Sequence, residues 1–315
     1  MYLVTGDCHR DFSKIEMFCK NHRTSQEDVM ILLGDVGVNF NLDESDRRKK
    51  QQLAELPLTF LCVHGNHEAR PYSISTYCEM EWRGGKVYYE PDYPNILFAK
   101  DGALFEFDGK KALGIGGAYS IDREFRLMAG QPWFADEQPS DAIKTYVEEQ
   151  LERCQWKVDY VFSHTCPMFM VPRDMFLPHI DQNKVDRSTE EWLEYLYKRM
   201  NFSKWYFGHF HDNRRYAQFE LLFEEIKELG SDDFLQRIGY PKYKYGEMVL
   251  FYFSDGTQEY ECYGTIEKVN RFGTFGQSKE VSYDILGPDF LNPEERVLYK
   301  HIEESQIEKM EEDKQ

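Results

Sequence analysis

Leu58 to Arg70, LTFLCVHGNHEAR, constrains the fold more than any other stretch. Its apolar, β-branched opening suits a buried strand, and it breaks at Gly65 into Asn66, His67 and Glu68. A strand that delivers polar residues at its carboxyl end fits the crevice where α/β sheets place their sites. Alone, Gly-Asn-His-Glu is most often a plain turn; its weight comes from repetition. Tyr2–Thr5 leads into Gly6, Asp7 and His9, and Val29–Leu33 into Gly34 and Asp35. Val158–Phe162 leads into Ser163 and His164, and Lys204–Phe207 into Gly208, His209 and His211. In a parallel or mixed sheet such ends converge on one crevice.

The residue types then select the chemistry. Asp7, His9, Asp35, Asn66, His164, His209 and His211 offer imidazole, carboxylate and carboxamide and no thiolate. That mixture suits first-row ions rather than a calcium cage or an iron–sulfur cluster. Seven donors exceed one tetrahedral zinc. They fit two divalent ions sharing a bridging carboxylate, roughly 3.5–4 Å apart as in two-metal hydrolytic sites. Manganese, iron, zinc and cobalt all stay open on residue type. His22, His64, His179 and His301 read as structural.

The remaining chain bounds the reading. A formal charge of −18 argues against broad electrostatic binding to nucleic acid. The seven cysteines show neither disulfide nor zinc spacing. With no basic leader and no stretch near the roughly 20 apolar residues of a membrane span, a cytoplasmic setting and no membrane partner are expected. Capping signals predict helices from Ser13, Ser140 and Ser188, and Asp43 to Leu56 is helical in character. Pro71 to Pro94 reads as irregular, and Tyr216 to Leu229 as strand or helix. Gly116-Gly117-Ala118-Tyr119-Ser120 reads as a tight turn after a strand. The expected organisation is a domain over residues 1–230, a linker over 231–245, a small β-barrel over 246–303 and a fraying charged tail over 304–315. The barrel's aromatic residues, Tyr243, Tyr245, Phe251, Tyr252, Phe253, Tyr260 and Tyr263, read as core and rim rather than a base-stacking surface.

The order Asp-x-His, Gly-Asp, Gly-Asn-His-Glu, a lone His and Gly-His-x-His resembles the motif series of the calcineurin-like metallophosphoesterase superfamily over about residues 1–230. The resemblance implies an α/β fold, a four-layer αββα sandwich, here with a C-terminal all-β domain that resembles an SH3-like barrel. It assigns Asp7, His9 and His211 to one metal and Asn66, His164 and His209 to the other, with Asp35 bridging. His67 becomes the catalytic histidine beside the phosphate, and a metal-bridging hydroxide the nucleophile. Glu68 can orient His67 or face solvent. The Gly116–Ser120 run resembles a stretch of bacterial members.

Arginines follow four of the polar clusters, which reads as a guanidinium ring around phosphate. Arg10, Asn39, Arg70 and Arg123 are the substrate-binding candidates. The run Gly34-Asp35-Val36-Gly37-Val38-Asn39 lacks the Asp and Arg that Ser/Thr protein phosphatases carry there. The expected activity is a phosphodiesterase on a small nucleotide or short oligonucleotide. A phosphomonoesterase on phosphoprotein or nucleotide is the alternative, and a silent scaffold the rival from another class. Phosphorylated small molecules or nucleotides are the expected ligands, extended nucleic acid is not favoured, and the barrel is available for a protein partner or self-association.

Overall fold

The computed structural model describes residues 1–176, 180–231, 234–236, 241–254, 256, 258–270, 281–289 and 292–309. His179 and parts of the stretches expected as linker, barrel and tail lie outside the described residues. The chain divides into two units, Met1–Gln236 and Arg237–Gln315. No described helix is long and apolar enough to cross a membrane.

In the first unit the chain runs β1 (Tyr2–Thr5), α1 (Ser13–Asn21), β2 (Val29–Leu32), α2 (Glu44–Ala54), β3 (Thr59–Cys62), β4 (Cys78–Trp82), β5 (Gly85–Tyr89) and β6 (Ile96–Ala99). It continues as β7 (Leu104–Phe107), β8 (Lys110–Ile115), α3 (Arg123–Met128), α4 (Asp141–Arg153), β9 (Tyr160–Ser163), α5 (Ser188–Tyr197) and β10 (Lys204–Phe207). Four short strands close it: β11 (Arg214–Tyr216), β12 (Phe219–Leu221), β13 (Ile226–Glu228) and β14 (Phe234–Gln236). One sheet has the order β14-β13-β1-β2-β3-β6-β5-β4 and the other β11-β12-β10-β9-β8-β7. β1, β2, β3 and β6 are mutually parallel, as are β8, β9, β10 and β12, with antiparallel strands at the margins.

The central strands are apolar throughout because both their faces are covered. Along β2, Met30 and Leu32 join a cluster with Ile15, Phe18 and Leu53 of α1 and α2. Val29 and Ile31 point the other way and meet Phe105, Phe162 and Tyr206 of the second sheet. The outer face of that sheet, through Leu113, Val161 and Trp205, packs on Val147, Leu151 and Leu196 of α4 and α5.

Several local expectations change. The stretch expected as irregular holds the hairpin β4–β5, whose edge strand Cys78–Trp82 alternates apolar and polar residues among the Tyr, Gly and Pro that read as loop. Ser13 and Ser188 are first helical residues rather than caps; Asp11 and Asp186 accept from their backbone N–H groups at 2.9 Å in each case. Asp43 and Ser140 do cap their helices. Tyr216–Leu229 resolves into strands, and residues 234–236, expected in a linker, pair with β13.

The second unit holds β15 (Met248–Ser254), β16 (Glu259–Asn270), β17 (Ser282–Pro288), β18 (Arg296–Glu303) and β19 (Ile307–Lys309) in one antiparallel sheet, order β18-β17-β16-β15-β19. Phe251, Ile266, Tyr283, Ile285 and Tyr299 form its core, whereas Tyr245 and Tyr263 are exposed. The tail expected to fray from residue 304 instead begins with a 3₁₀ turn, and Ile307 pairs with Phe251.

Candidate active site

All seven donor residues lie just beyond the carboxyl ends of parallel strands: Asp7 and His9 after β1, Asp35 after β2, Asn66 after β3, His164 after β9, and His209 and His211 after β10. The turns that carry them are strained. His9, Asp35, His209 and His211 all have positive φ, between 45° and 69°. Such non-glycine conformations cost about 1–3 kcal/mol each and persist where surrounding structure over-determines them. Close packing at the strand ends explains two of the glycines. A Cβ on Gly65 would stand 2.0 Å from Asp35 Oδ1, and one on Gly208 2.2 Å from Asp7 Oδ1.

The side chains form two adjoining groups. In the first, Asp7 Oδ2 stands 3.3 Å from His211 Nε2 and 3.6 Å from His9 Nε2, and the two imidazole nitrogens are 2.8 Å apart. In the second, Asn66 Oδ1 stands 2.8 Å from His164 Nε2 and 3.1 Å from His209 Nδ1. Asp35 Oδ2 faces both groups, 3.9 Å from His9 Nε2 and 3.6 Å from His164 Nε2. Its Oδ1 accepts from the His67 backbone N–H at 2.8 Å, while Asp7 Oδ1 accepts from the His209 N–H at 3.0 Å. Each carboxylate is thus held by one oxygen and presents the other.

The donor set fits divalent cations. Asp7 Oδ2 is buried without a hydrogen-bond partner. His164 Nδ1 is 2.8 Å from the Leu33 carbonyl, which can only accept, so a neutral His164 turns a bare lone pair toward Asn66. The Asn66 amide nitrogen donates to Ser120 Oγ at 2.8 Å, which aims its carbonyl oxygen at that lone pair. Two lone pairs 2.8 Å apart repel unless a cation lies between them. The spacings match the edges of a coordination shell with bonds of about 2.1 Å.

Electrostatics agree. Burial pushes the Asp7 carboxyl up, but the facing His211 and His9 imidazoles outweigh it and hold the group well below the usual carboxylate range. Burial likewise opposes Asp35, and the fields of His164 and His67 bring it down. Burial would lower His9, but the adjacent Asp7 and Asp35 carboxylates push it up to about 9. Burial pulls His209 down to about 3 and also lowers His67.

His67 borders the same space, its Nε2 at 3.9 Å from Asp122 Oδ1. Glu68 does not orient it. Glu68 is fully buried, and its two oxygens accept from the Gly65 and Gly37 backbone N–H groups at 3.1 and 3.3 Å, tying the loops after β2 and β3 together. Burial and the neighbouring Asp35 push its carboxyl up to about 8. His64 is also buried, with neither ring nitrogen bonded.

The substrate-binding candidates are placed differently from the guanidinium ring read in the sequence. Asn39 is fully buried, with its amide and the Tyr77 hydroxyl paired both ways at 2.9 and 3.1 Å. Arg70 is 2% exposed and binds Asp101 and the Asp136 carbonyl. Neither lines the pocket beside the donors, and Arg70 Nη2 is buried with no hydrogen-bond partner among the described residues. Arg10 pairs with Asp46 and donates to Ser45 Oγ and the Gly37 carbonyl, fastening the β1 loop to α2. Arg123 lies over the Trp133 ring, 4.0 Å from its centroid. These arginines satisfy carboxylates and rings far away in sequence, which local spacing does not show.

Sequence reasoning missed Ser120 as the residue that sets Asn66. Its hydroxyl donates to Glu137 Oε2 at 2.6 Å and accepts from Asn66 and from buried Arg126. Glu137 in turn takes the Trp133 indole N–H at 2.8 Å. The Gly116–Ser120 turn was its one visible signal. Asp122 carried none.

The family model described as calcineurin-like phosphoesterase matches residues 2–213. No curated protein matches the chain in sequence. Among solved structures, phosphopantetheinyl hydrolase (PptH) from Mycobacterium tuberculosis is similar at 16% identity, covering 78% of this chain and 98% of that one, with a TM-score of 0.39. The protein of unknown function AQ665 from Aquifex aeolicus is similar at 16% identity, with 64% and 87% covered and a TM-score of 0.28. Vps29 from Chaetomium thermophilum is similar at 8% identity, with 96% and 98% covered and a TM-score of 0.22.

Proposed function

Because the chain belongs to the calcineurin-like phosphoesterase family, whose members are dimetal-dependent, we propose that it hydrolyses phosphate esters at two divalent ions held by the seven converging donors. The observation that carries the reading is the pair of buried, cation-seeking contacts, Asp7 Oδ2 without a partner and the two facing lone pairs of His164 and Asn66. Asp7, His9 and His211 would hold one ion, Asn66, His164 and His209 the other, and Asp35 both. When bound, the ions supply a water acidic enough to be hydroxide at neutral pH and offset the charge of the phosphate oxygens.

The chain's own residues do the rest. The backbone N–H groups of His67 and His209 lock the two carboxylates in place. The Leu33 carbonyl fixes the His164 tautomer, as outer partners of metal-binding histidines do. His67, kept neutral by burial, has one N–H with which to hydrogen-bond the leaving oxygen. Asp122 is its facing carboxylate. Arg10 and Arg123 remain candidates for contact with the outer phosphate oxygens.

A small-molecule phosphodiester is the preferred substrate, with a monoester as the alternative. Manganese is the preferred metal among manganese, iron, zinc, nickel and cobalt, all of which the mixed donor set accepts. Seven free cysteines support a reducing, cytoplasmic setting. Three clusters alternating with two sheets support the four-layer arrangement. The 3₁₀ turn that returns β19 to pair with β15 supports an SH3-like barrel, available to a protein partner or a second copy.

The test is to strip the protein of metal, restore Mn²⁺, Zn²⁺, Fe²⁺ or Ni²⁺ separately, and compare p-nitrophenyl phosphate with bis-p-nitrophenyl phosphate. Metal-dependent, diester-dominant turnover is expected. Asp35→Asn should lose metal and turnover together, and His67→Ala turnover alone. Wild-type turnover in both variants would refute the site.

A further inference from the structure

We propose that the organic group of the substrate is an aromatic body of small-molecule size, and that it occupies a built pocket beside the metal site. The proposal rests on the phosphoesterase reading above. A cavity of about 450 Å³ opens onto Asp35, Asn66, His67, His209 and His211. That volume lies within the range of small-molecule sites. The segment between β9 and α5 supplies Val171, Met175, Phe176 and Val185 to its wall. Tyr119 and Ile121 come from the turn after β8, and Phe210 from between two of the metal-site histidines.

A phosphate group gains nothing from such a wall, because its oxygens seek charge and hydrogen bonds. Apolar surface beside an anion site suits a ligand that brings apolar surface of its own. A phosphorylated serine presents one methylene and leaves the cavity unfilled. Three of the wall residues are aromatic, and the Arg187 guanidinium lies 5.5 Å from the centroid of the Phe176 ring. Both its terminal nitrogens donate to Gln182, at 2.9 Å to the carbonyl and 2.7 Å to Oε1, which fixes a flat cationic edge on which a ring can stack.

A second observation points to a ligand independently. Glu190 lines the same cavity and is 6% exposed. Its Oε1 accepts from Thr165 Oγ1 at 2.7 Å, while Oε2 is buried with no partner among the described residues. A ligand N–H or O–H would satisfy that oxygen, whose isolation is otherwise unfavourable.

The experiment measures competitive inhibition by two phosphonates, ethylphosphonate and naphthylethylphosphonate, on the metal-loaded full chain turning over its better nitrophenyl ester. Both carry the same anion and neither is hydrolysed. The expected result is at least about tenfold tighter inhibition by the naphthyl compound, from the apolar area it buries. Phe176→Ala, which removes a ring, and Val185→Gln, which places an amide on the wall, should each cut the ratio of the two inhibition constants at least threefold. Equal inhibition in the wild type, with turnover intact, overturns the pocket and leaves the hydrolase reading standing. A preference that survives both substitutions also overturns it. Absence of turnover and of competition with every metal removes the hydrolase reading, and the pocket with it.

Discussion

Replacing Ser120 by alanine should weaken one metal and spare the other. The Ser120 hydroxyl is the partner that keeps the Asn66 amide nitrogen turned away from the site, at 2.8 Å. Without it, Asn66 Nδ2 becomes a buried unpaired donor, at about 1–3 kcal/mol. Glu137 loses a bond to its charged oxygen, worth about 1.5–3 kcal/mol, although the Trp133 indole and the Ser120 backbone N–H still serve it. Flipping the amide relieves the first cost, because Nδ2 can then donate to His164 Nε2 across the 2.8 Å now held by Oδ1. A metal must break that new bond and turn the amide back. Outer partners of metal ligands typically carry 10–100-fold in affinity, about 1.4–2.7 kcal/mol. The assay is Mn²⁺ titration by calorimetry with ion counting after dialysis. The wild type should bind two ions per chain, and Ser120→Ala one ion unchanged and one weakened by about 10–100-fold. The ion of Asp7, His9 and His211 should be spared, since none of these touches Ser120. Two wild-type affinities in the folded variant would show that the amide orientation is set elsewhere.

Metal affinity should also rise with pH. In the metal-free protein His9 titrates at about 9, up from 6.5, so at neutral pH it holds a proton that an incoming ion must displace. Affinity should climb about tenfold per pH unit from about pH 7 and level off near 9; a flat profile, or no proton release on titration in weak buffer, sinks the assignment. Gly65→Ala should abolish metal binding and turnover together, because its Cβ would stand 2.0 Å from Asp35 Oδ1 and 2.2 Å from the Asp35 backbone nitrogen; near-normal activity would mean that Asp35 is not needed where it lies. A chain ending at Gln236 retains all seven donors and both sheets of the first unit, and should keep its aryl-ester turnover. A folded but inactive truncation would assign the second unit a part in the site.

What could be read in the chain follows from how far each signal reaches. Strand β3 and its neighbours announce themselves because a strand covered on both faces needs an unbroken apolar run. Ser140 was legible as a cap because a cap bonds N–H groups two or three residues away. At Ser13 and Ser188 the same local rule misplaced the cap, since Asp11 and Asp186 accept from the serines' own N–H groups and the serines become the first helical residues. The hairpin β4–β5 stayed hidden under the Tyr, Gly and Pro that surround it, although Cys78–Trp82 alternates apolar and polar residues.

The sequence by itself determined the five strands that end in donor residues, and the types and order of Asp7, His9, Asp35, Asn66, His164, His209 and His211, because residue type and position after a strand are local properties. Tertiary structure alone decided what surrounds them. It set Arg70 on Asp101, 31 positions away, and Asn66 on Ser120, 54 positions away. It turned Glu68 inward to clasp two loops and raised an apolar wall from the segment before α5. Those partnerships depend on how two sheets pack and where their loops then meet. A charge or hydroxyl binds whichever buried group packing brings within about 3 Å, and that distance is not written in the spacing of residues along the chain.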